Sequence, residues 1–84
     1  MYYVYVLKSL SFSDQKYVGY TNNLKQRFLK HNAGDCLHTA KYMPWELMVY
    51  VAFKDETSAI KFEKYLKSGS GRVFLDKRLL NLGD

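Results

Sequence analysis

The chain has 84 residues, of which 48% are hydrophobic, and its thirteen Lys and Arg outnumber its eight Asp and Glu, giving a net charge of +5. One hydrophobic core is all that this length allows, so we expect a single domain over residues 1–84, and the apolar content excludes a disordered chain. One cysteine excludes an intramolecular disulfide, and no apolar run has membrane-spanning length, so we expect a cytoplasmic protein without membrane association whose charge favours polyanionic partners.

The first part of the chain predicts a hairpin followed by a helix. Residues 2–8 are almost all β-branched or aromatic, which is typical of a central strand covered on both faces. After a polar turn, residues 16–21 (KYVGYT) predict a second strand that pairs with the first. A helix then begins at Thr21 or Asn22, either of which can cap it, and ends at Gly34, which favours a left-handed stop.

The second part of the chain predicts a loop, a strand and two helices. Residues 35–45 lack a clear period and lead, past the one proline, into a third strand over residues 46–53. A second helix is expected over residues 55–67, and the segment SGSG separates it from a last helix over residues 72–80. The order strand, strand, helix, strand, helix, helix predicts an α+β domain in which about three helices flank a small three-stranded antiparallel sheet.

Polar side chains fall on the apolar faces of both longer helices. In the first helix, a rotation of about 100° per residue places His31 beside Leu24 and Arg27 at the edge of the stripe that also contains Phe28. In the second helix, Glu63 falls within the apolar arc. The structural explanation is a core-rim arginine, a satisfied histidine and an ion pair between Glu63 and Arg27. The functional alternative is a cleft that binds a cation or a substrate.

The two hairpin strands bring tyrosines close to a glycine. Alternation places Tyr3 and Tyr5 on one face of the first strand. Tyr17 and Gly19 likewise share one face of the second strand. Because Gly19 has no side chain, a ligand or another backbone can approach beside Tyr17. Tyrosines in strands are usually packing residues, so the pattern alone does not define a site.

A zinc site and a cysteine nucleophile have less support from the sequence. His31, Cys36 and His38 are possible zinc ligands, but their spacing is irregular and a closed structural site normally uses four ligands. Cys36 also lacks the surrounding signature of a cysteine nucleophile paired with a histidine base. The sequence therefore disfavours both a zinc site and a cysteine-based enzyme.

Two strand triplets, an arginine, a histidine and a glutamate occur together in this chain, namely Tyr3-Val4-Tyr5, Tyr17-Val18-Gly19, Arg27, His31 and Glu63. Together they resemble the GIY-YIG nuclease domain over essentially the whole chain. HNAG, PWELMVY and EKYLKSGSGR are typical of the small single-domain bacterial members of uncharacterised type. Tyr3 departs from the family pattern because it replaces the glycine of the first triplet. Asn81 is the nearest counterpart of the family's late asparagine and is not assigned to the site.

The resemblance implies a divalent-metal-dependent endonuclease that hydrolyses phosphodiester bonds of DNA, with a catalytic site formed by Tyr5, Tyr17, Arg27, His31 and Glu63. Glu63 is the expected ligand of Mg²⁺ or Mn²⁺, which need few protein carboxylates when a substrate supplies phosphate oxygens. Arg27 is expected to stabilise the charge that develops on the phosphoryl group. Tyr17 is the first choice for the base that activates water, with Tyr5 and His31 as alternatives.

DNA is the expected partner, and branched or damaged DNA is a candidate substrate. The candidate DNA contacts are Lys16, Lys30 and Lys41. An 84-residue chain has no room for a separate recognition domain, so we expect weak or structure-guided specificity unless a protein partner directs it. A non-catalytic nucleic-acid-binding module of the same fold and, with less support, an aromatic interaction domain are the alternatives. Glu63 favours the enzyme, because binding alone would not need a carboxylate in the path of an anionic partner.

Overall fold

The computed structural model describes residues 1–80, and Asn81 lies outside the described residues. The sheet consists of three strands, β1 (Tyr2–Ser9), β2 (Lys16–Thr21) and β3 (Trp45–Phe53). The helices are α1 (Leu24–Asn32), α2 (Leu37–Ala40), α3 (Glu56–Lys67) and α4 (Gly69–Phe74), and a π-helical stretch, Leu75–Leu80, follows α4. Over the described residues, no helix combines the length and the apolar character needed to cross a membrane.

The sheet has the order β2-β1-β3, and β1 pairs antiparallel with both of its neighbours. The predicted α+β class and its three antiparallel strands are therefore confirmed, and each strand agrees with the expected bounds to within one residue. Pairing between β1 and β3 is interrupted by a bulge between Val6 and Leu7. Among the described residues no strand pairs with the outer edge of β2, so this edge is available to form one wall of a site.

Helices cover both faces of the central strand. One face packs against α3, α4 and the π-helical stretch, and its buried residues are Val4, Val6, Ala59, Leu66 and Leu75. The other face packs against α1, and its core contains Tyr5, Leu7 and Trp45 with the partly buried Leu24 and Phe28. Alternate side chains of β1 point to opposite faces of the sheet, and both faces are covered. This arrangement explains why β1 has almost no polar side chains.

Helix α1 begins two or three residues later than predicted. Its cap is Asn23, whose side chain accepts a hydrogen bond from the backbone N–H of Gln26 at 3.2 Å, so the assignment to Thr21 or Asn22 is wrong. Thr21 still belongs to β2, and its hydroxyl accepts a hydrogen bond from the Asn23 N–H. The predicted stop at Gly34 is confirmed by its positive φ of 79°.

The expected loop over residues 35–45 contains the short helix α2, so this part of the prediction is wrong. The carbonyl of Cys36 accepts hydrogen bonds from the backbone N–H groups of Thr39 and Ala40, which closes a single turn. One turn is too short to show a hydrophobic period, so the sequence pattern could not mark it. The peptide bond before Pro44 is cis, and β3 starts at the next residue.

The last helix begins at Gly69 rather than at Arg72, as had been expected. Ser68 ends α3 and also caps α4, because its hydroxyl accepts a hydrogen bond from the Gly71 N–H at 3.1 Å. A Cβ at Gly71 would overlap the backbone carbonyl of Tyr65. The glycine therefore permits the close approach of α4 to α3, and the SGSG segment contains a helix start instead of a longer break.

The cap of α1 can be tested by stability. Replacing Asn23 by Ala should lower the free energy of unfolding by about 1 kcal/mol, because the Gln26 N–H loses its side-chain acceptor. Asn22→Ala is the matched control, since Asn22 is exposed and precedes the cap. Urea unfolding followed by circular dichroism measures both variants. Equal losses in the two variants would contradict the assignment of the cap.

Candidate active site

Tyr5 is at the centre of the candidate site. Its side chain is fully buried in β1, and its hydroxyl oxygen lies 2.8 Å from Nε2 of His31 on α1. Gly19 is paired with Tyr5 in the sheet, and a Cβ at Gly19 would lie 2.6 Å from the Tyr5 hydroxyl and 2.9 Å from the ring of Tyr17. The space beside Gly19 is thus occupied by the two tyrosine side chains, which corrects the expectation that a ligand or another backbone approaches there.

His31 connects Tyr5 to α2 through a buried hydrogen-bond chain formed by Tyr5, His31 and Thr39. Nδ1 of His31 lies 2.9 Å from Oγ1 of Thr39, and the Thr39 hydroxyl donates to the carbonyl of Cys36 at 3.3 Å. Because the Thr39 proton is used in that bond, Nδ1 carries the proton that is donated to Thr39. Nε2 then accepts the hydroxyl proton of Tyr5, and the imidazole is neutral.

Burial keeps both members of the Tyr5–His31 pair uncharged. Burial raises the pKa of Tyr5 to about 12, and the neighbouring Tyr17 also contributes to this rise. Burial likewise lowers the pKa of His31, and the positive charge of Arg27 lowers it further. At neutral pH these two groups are therefore suited to positioning their neighbours rather than to exchanging protons with water.

Arg27 approaches the tyrosines from α1. The hydroxyl of Tyr5 beside the guanidinium raises the pKa of Arg27, and Tyr17 is close enough to add to this effect. Nε of Arg27 is buried and has no hydrogen-bond partner among the described residues. Arg27 also lines a depression of about 350 Å³ that contains Tyr20 and Glu56. A guanidinium that lines an open depression is suited to an anionic oxygen.

Tyr17 is the signature tyrosine that reaches solvent. Its ring centroid lies 4.9 Å from that of His31, and its side chain is partly exposed. It lines a depression of about 580 Å³ beside β2, together with Lys16, Lys67 and Arg72. Tyr5 is fully buried, so Tyr17 is the one of the two signature tyrosines that solvent can reach.

Glu63 approaches from the opposite face of the sheet. It lies on α3, and Oε2 of its carboxylate is 3.3 Å from Nζ of Lys67. The ion pair with Arg27 that the sequence suggested is not formed, since Arg27 belongs to neither ion pair found among the described residues. Lys67 lines the depression that contains Tyr17, so Glu63 stands next to this depression and one side chain away from it.

The structure thus brings Tyr5, Tyr17, Arg27 and His31 together and holds Glu63 apart from them. The four grouped residues come from β1, β2 and α1, which meet on one face of the sheet. Glu63 comes from α3, which packs on the other face. The two parts of the candidate site can therefore meet only around the edge of β2.

The single carboxylate of Glu63 suits a hard cation that keeps most of its waters. Within residues 1–80, no group of three or more His, Cys, Asp and Glu side chains lies close enough to hold a metal ion. Both ring nitrogens of His31 are already hydrogen-bonded, to Tyr5 and Thr39. The Glu63 side chain is 17% exposed and offers oxygen donors. Mg²⁺ keeps several waters and needs only one or two carboxylates when a substrate adds phosphate oxygens, so Glu63 suits this ion.

The three predicted DNA-contacting lysines lie in different places. Lys16 lines the depression that contains Tyr17 and forms an ion pair with Asp76 at 3.0 Å. Lys30 is exposed in the last turn of α1. Lys41 is exposed, with its ammonium 5.5 Å from the ring centroid of Tyr42. Of the three, Lys16 is the one that adjoins the candidate site.

Several residues that support the site were missed by the sequence analysis. Thr39 fixes His31, and its carbonyl accepts a hydrogen bond from Nε1 of Trp45 at 2.9 Å. Asn32 accepts from the backbone N–H of Trp45 and donates to its carbonyl, which ties the end of α1 to β3. The polar pair in HNAG and the tryptophan that begins the third strand were the available signals. Lys67 and Arg72 were also missed, although EKYLKSGSGR contains both.

Comparison with known proteins agrees with this fold. The sequence model of the GIY-YIG catalytic domain matches residues 1–77. A homologue of structure-specific endonuclease subunit SLX1 from Giardia intestinalis is 37% identical over 73% of this chain, which spans only 18% of that protein. The UPF0213 protein in the ldhD 5′ region of Pediococcus acidilactici is 37% identical, with 98% of this chain and 84% of that protein covered.

A solved structure has the same architecture. The solution NMR structure of the UPF0213 protein BH0048 from Bacillus halodurans superimposes with a TM-score of 0.58 and 27% identity, covering 96% of this chain and 88% of that chain. Both UPF0213 relatives match nearly the whole length of the chain. The chain therefore belongs to the GIY-YIG catalytic domain family, whose members include small UPF0213 proteins and subunits of structure-specific endonucleases.

Proposed function

We propose that the chain is a divalent-metal-dependent endonuclease that hydrolyses phosphodiester bonds of DNA with weak or structure-guided sequence specificity. The observation that carries the proposal is the convergence of Tyr5, Tyr17, Arg27 and His31 beside the free edge of β2. The SLX1 relatives are named as subunits of structure-specific endonucleases, which supports a substrate chosen by its shape. The net charge of +5 supports a polyanionic substrate.

Arg27 binds the scissile phosphate in this mechanism. Its guanidinium stays charged and presents several N–H donors in a planar fork, which matches two oxygens of a phosphate. The position of Arg27 at an open depression supports the role, because a phosphate oxygen that enters there can meet the fork without displacing the packed part of the side chain. As charge accumulates on the phosphoryl oxygens, this contact becomes stronger than it was in the ground state, and the reaction is accelerated.

Tyr17 orients the attacking water and accepts its proton while its own hydroxyl proton passes to solvent, and Tyr5 holds the site together. A base must reach water, and Tyr17 lines an open depression whereas Tyr5 is fully buried. The pKa of Tyr5 is raised to about 12 by burial, and its proton is already donated to His31, so Tyr5 is poorly suited to act as a base. His31 is disfavoured as well, because both of its ring nitrogens are occupied.

Glu63 is the residue that would hold the cation, Mg²⁺ or Mn²⁺. When bound, such an ion supplies charge stabilisation at the phosphate and at the departing oxygen. Lys67 neutralises Glu63 in the free protein, so it must release the carboxylate before a cation is held there. Glu63 and Arg27 then act from the two sides of the β2 edge on the same phosphodiester.

The surface around the β2 edge provides the contacts to DNA. Lys16, Lys67 and Arg72 line the depression beside Tyr17 and lie where a phosphate backbone would pass. Lys30 and Lys41 are more distant contacts for a longer or branched DNA. Branched or damaged DNA, a protein partner that directs the enzyme, and a cytoplasmic location are the further parts of this proposal.

A non-catalytic nucleic-acid-binding module is the second candidate. The observation in its favour is the ion pair between Glu63 and Lys67, together with the position of Glu63 on the opposite face from Arg27. A site that never binds a cation could retain this arrangement permanently. Cleavage that depends on a divalent cation separates the two functions.

The first test replaces Glu63 by Gln and measures cleavage of supercoiled plasmid, branched DNA, single-stranded DNA and RNA with Mg²⁺, Mn²⁺ or EDTA. We expect wild-type cleavage to require the cation and the variant to be slower by about a hundredfold or more, because the charge stabilisation is worth several kcal/mol. Binding measured in EDTA should be retained, since no cation is held under those conditions. Glu46→Gln is the matched control, because Glu46 is an exposed carboxylate on the opposite edge strand.

The activities of the wild type and the variants separate the nuclease from the binding module. Full activity of Glu63→Gln would remove Glu63 from the role of metal ligand. A wild-type protein that binds DNA with steep salt dependence and cuts none of the four substrates would favour the binding module instead.

The second test replaces Tyr17 by Phe, which keeps the ring and removes the hydroxyl. We expect the single-turnover cleavage rate to fall by about 10²-fold or more, which is typical for the loss of a general base, with DNA affinity unchanged. Tyr42→Phe is the control, because Tyr42 is a half-buried tyrosine outside the depressions that contain Tyr17 and Arg27. Undiminished turnover by Tyr17→Phe would exclude Tyr17 as an essential base.

A further inference from the structure

A third depression, the aromatic groove, lies beside α1 at the end of β1 that is remote from the hairpin turn. It has a volume of about 470 Å³, and the residues that characterise it are Tyr3, Asn22, Lys25, Phe28, Leu47 and Tyr50. None of them has a role in the proposed reaction. Asn22 also lines the depression that contains Arg27, so the groove directly adjoins the candidate active site.

Two tyrosines form the aromatic wall of this groove. Tyr50 is 52% exposed although it belongs to a strand, and its ring stands nearly perpendicular to that of Tyr3, with 5.8 Å between the centroids. Tyr3 occupies the position that is glycine in the first triplet of the family pattern, so its ring is an addition to that pattern. An exposed aromatic face next to a second ring offers a platform on which a planar group can stack.

The charges of the groove favour an anionic ligand. Lys25 is exposed. Among the described residues that line the groove, it is the only one with a charged side chain. The depression beside Tyr17 contains Asp14 and Asp76, and the one beside Arg27 contains Glu56. The aromatic groove therefore combines a stacking surface with a positive charge and no opposing carboxylate, which suits a nucleotide with its planar base and its phosphate.

We propose that the aromatic groove binds an unpaired nucleotide of a DNA substrate, with the base stacked on Tyr50 and the phosphate facing Lys25. This inference rests on the proposed function and names its substrate class, which is DNA with an unpaired nucleotide at a branch, flap or gap. Bases inside a duplex are stacked on one another and expose only their edges, so an aromatic side chain gains little from them. Because every base has a π-face, stacking distinguishes unpaired from paired DNA without reading its sequence.

The test compares the affinity of the protein for two DNAs in EDTA, so that binding is measured without cleavage. One is a duplex with a single-nucleotide flap that carries 2-aminopurine, and the other is the fully paired duplex of the same sequence. The variants are Tyr50→Ala and Tyr50→Phe. Phe12→Ala is the control, because it removes a comparably exposed ring, 47% exposed, from the hairpin turn at the far end of the sheet.

We expect the wild type to prefer the flapped DNA and Tyr50→Ala to lose about tenfold or more of this preference, as is typical for the loss of one stacking contact. Tyr50→Phe and Phe12→Ala should retain the preference. Binding should quench the 2-aminopurine fluorescence in the wild type and in Tyr50→Phe but not in Tyr50→Ala. Circular dichroism of each variant establishes that it is folded.

The inference is overturned by an unchanged preference in Tyr50→Ala, or by an equal loss in Tyr50→Phe, which would assign the effect to the hydroxyl instead of the ring. Equal affinity of the wild type for both DNAs also overturns it and leaves a protein segment or a second copy of the chain as the occupant of the groove. Preference without any metal-dependent cleavage would contradict the nuclease while supporting the groove. Metal-dependent cleavage without the preference for flapped DNA would support the nuclease and contradict the groove. Failure to bind either DNA would contradict both the nuclease and the groove.

Discussion

The hydrogen bond between Tyr5 and His31 is the interaction on which the rest of the candidate site depends. Both side chains are fully buried, and the bond ties the central strand to α1 across 26 positions of the chain. An unsatisfied polar group in this place would cost about 1–3 kcal/mol, so the strand and the helix cannot shift independently. Arg27 lies one turn before His31, and the ring of Tyr17 packs on His31, so this bond sets the position of both.

The hydrogen bond between Tyr5 and His31 also gives the two signature tyrosines different roles. Tyr5 is committed to the interior, where its proton is donated to His31, and Tyr17 is left to face the open depression. Glu63 lies on the other face of the sheet, where α3 packs, and its carboxylate is paired with Lys67. In the proposed nuclease, the site therefore consists of two halves on either side of the edge of β2, and a bound phosphate would join them. Such an arrangement favours a substrate that can bend around or unpair at this edge.

The sequence pattern predicted the features that are determined by residues close together in the chain. Strand alternation and the left-handed stop at Gly34 agree with the structure, and helical rotation correctly placed His31 in the interior. The misplaced features depend on contacts that the sequence does not display. The space at Gly19 is filled by Tyr5 because of the strand register. Glu63 does not meet Arg27 because α1 and α3 pack on opposite faces of the sheet, and it pairs instead with Lys67, one turn further along α3. Helix α2 is one turn long and has no period to detect.

The ¹⁵N NMR spectrum of the His31 imidazole tests the central claim most directly, because it reports which ring nitrogen carries the proton. The hydrogen-bond chain predicts a neutral ring with the proton on Nδ1 at pH 7, and a ring that is protonated only below the ordinary histidine pKa of 6.5 because burial lowers its pKa. Replacing Tyr5 by Phe should change the Nε2 signal, since this nitrogen loses its donor. A proton on Nε2, or a cationic ring at pH 7, would contradict the arrangement on which the site is built.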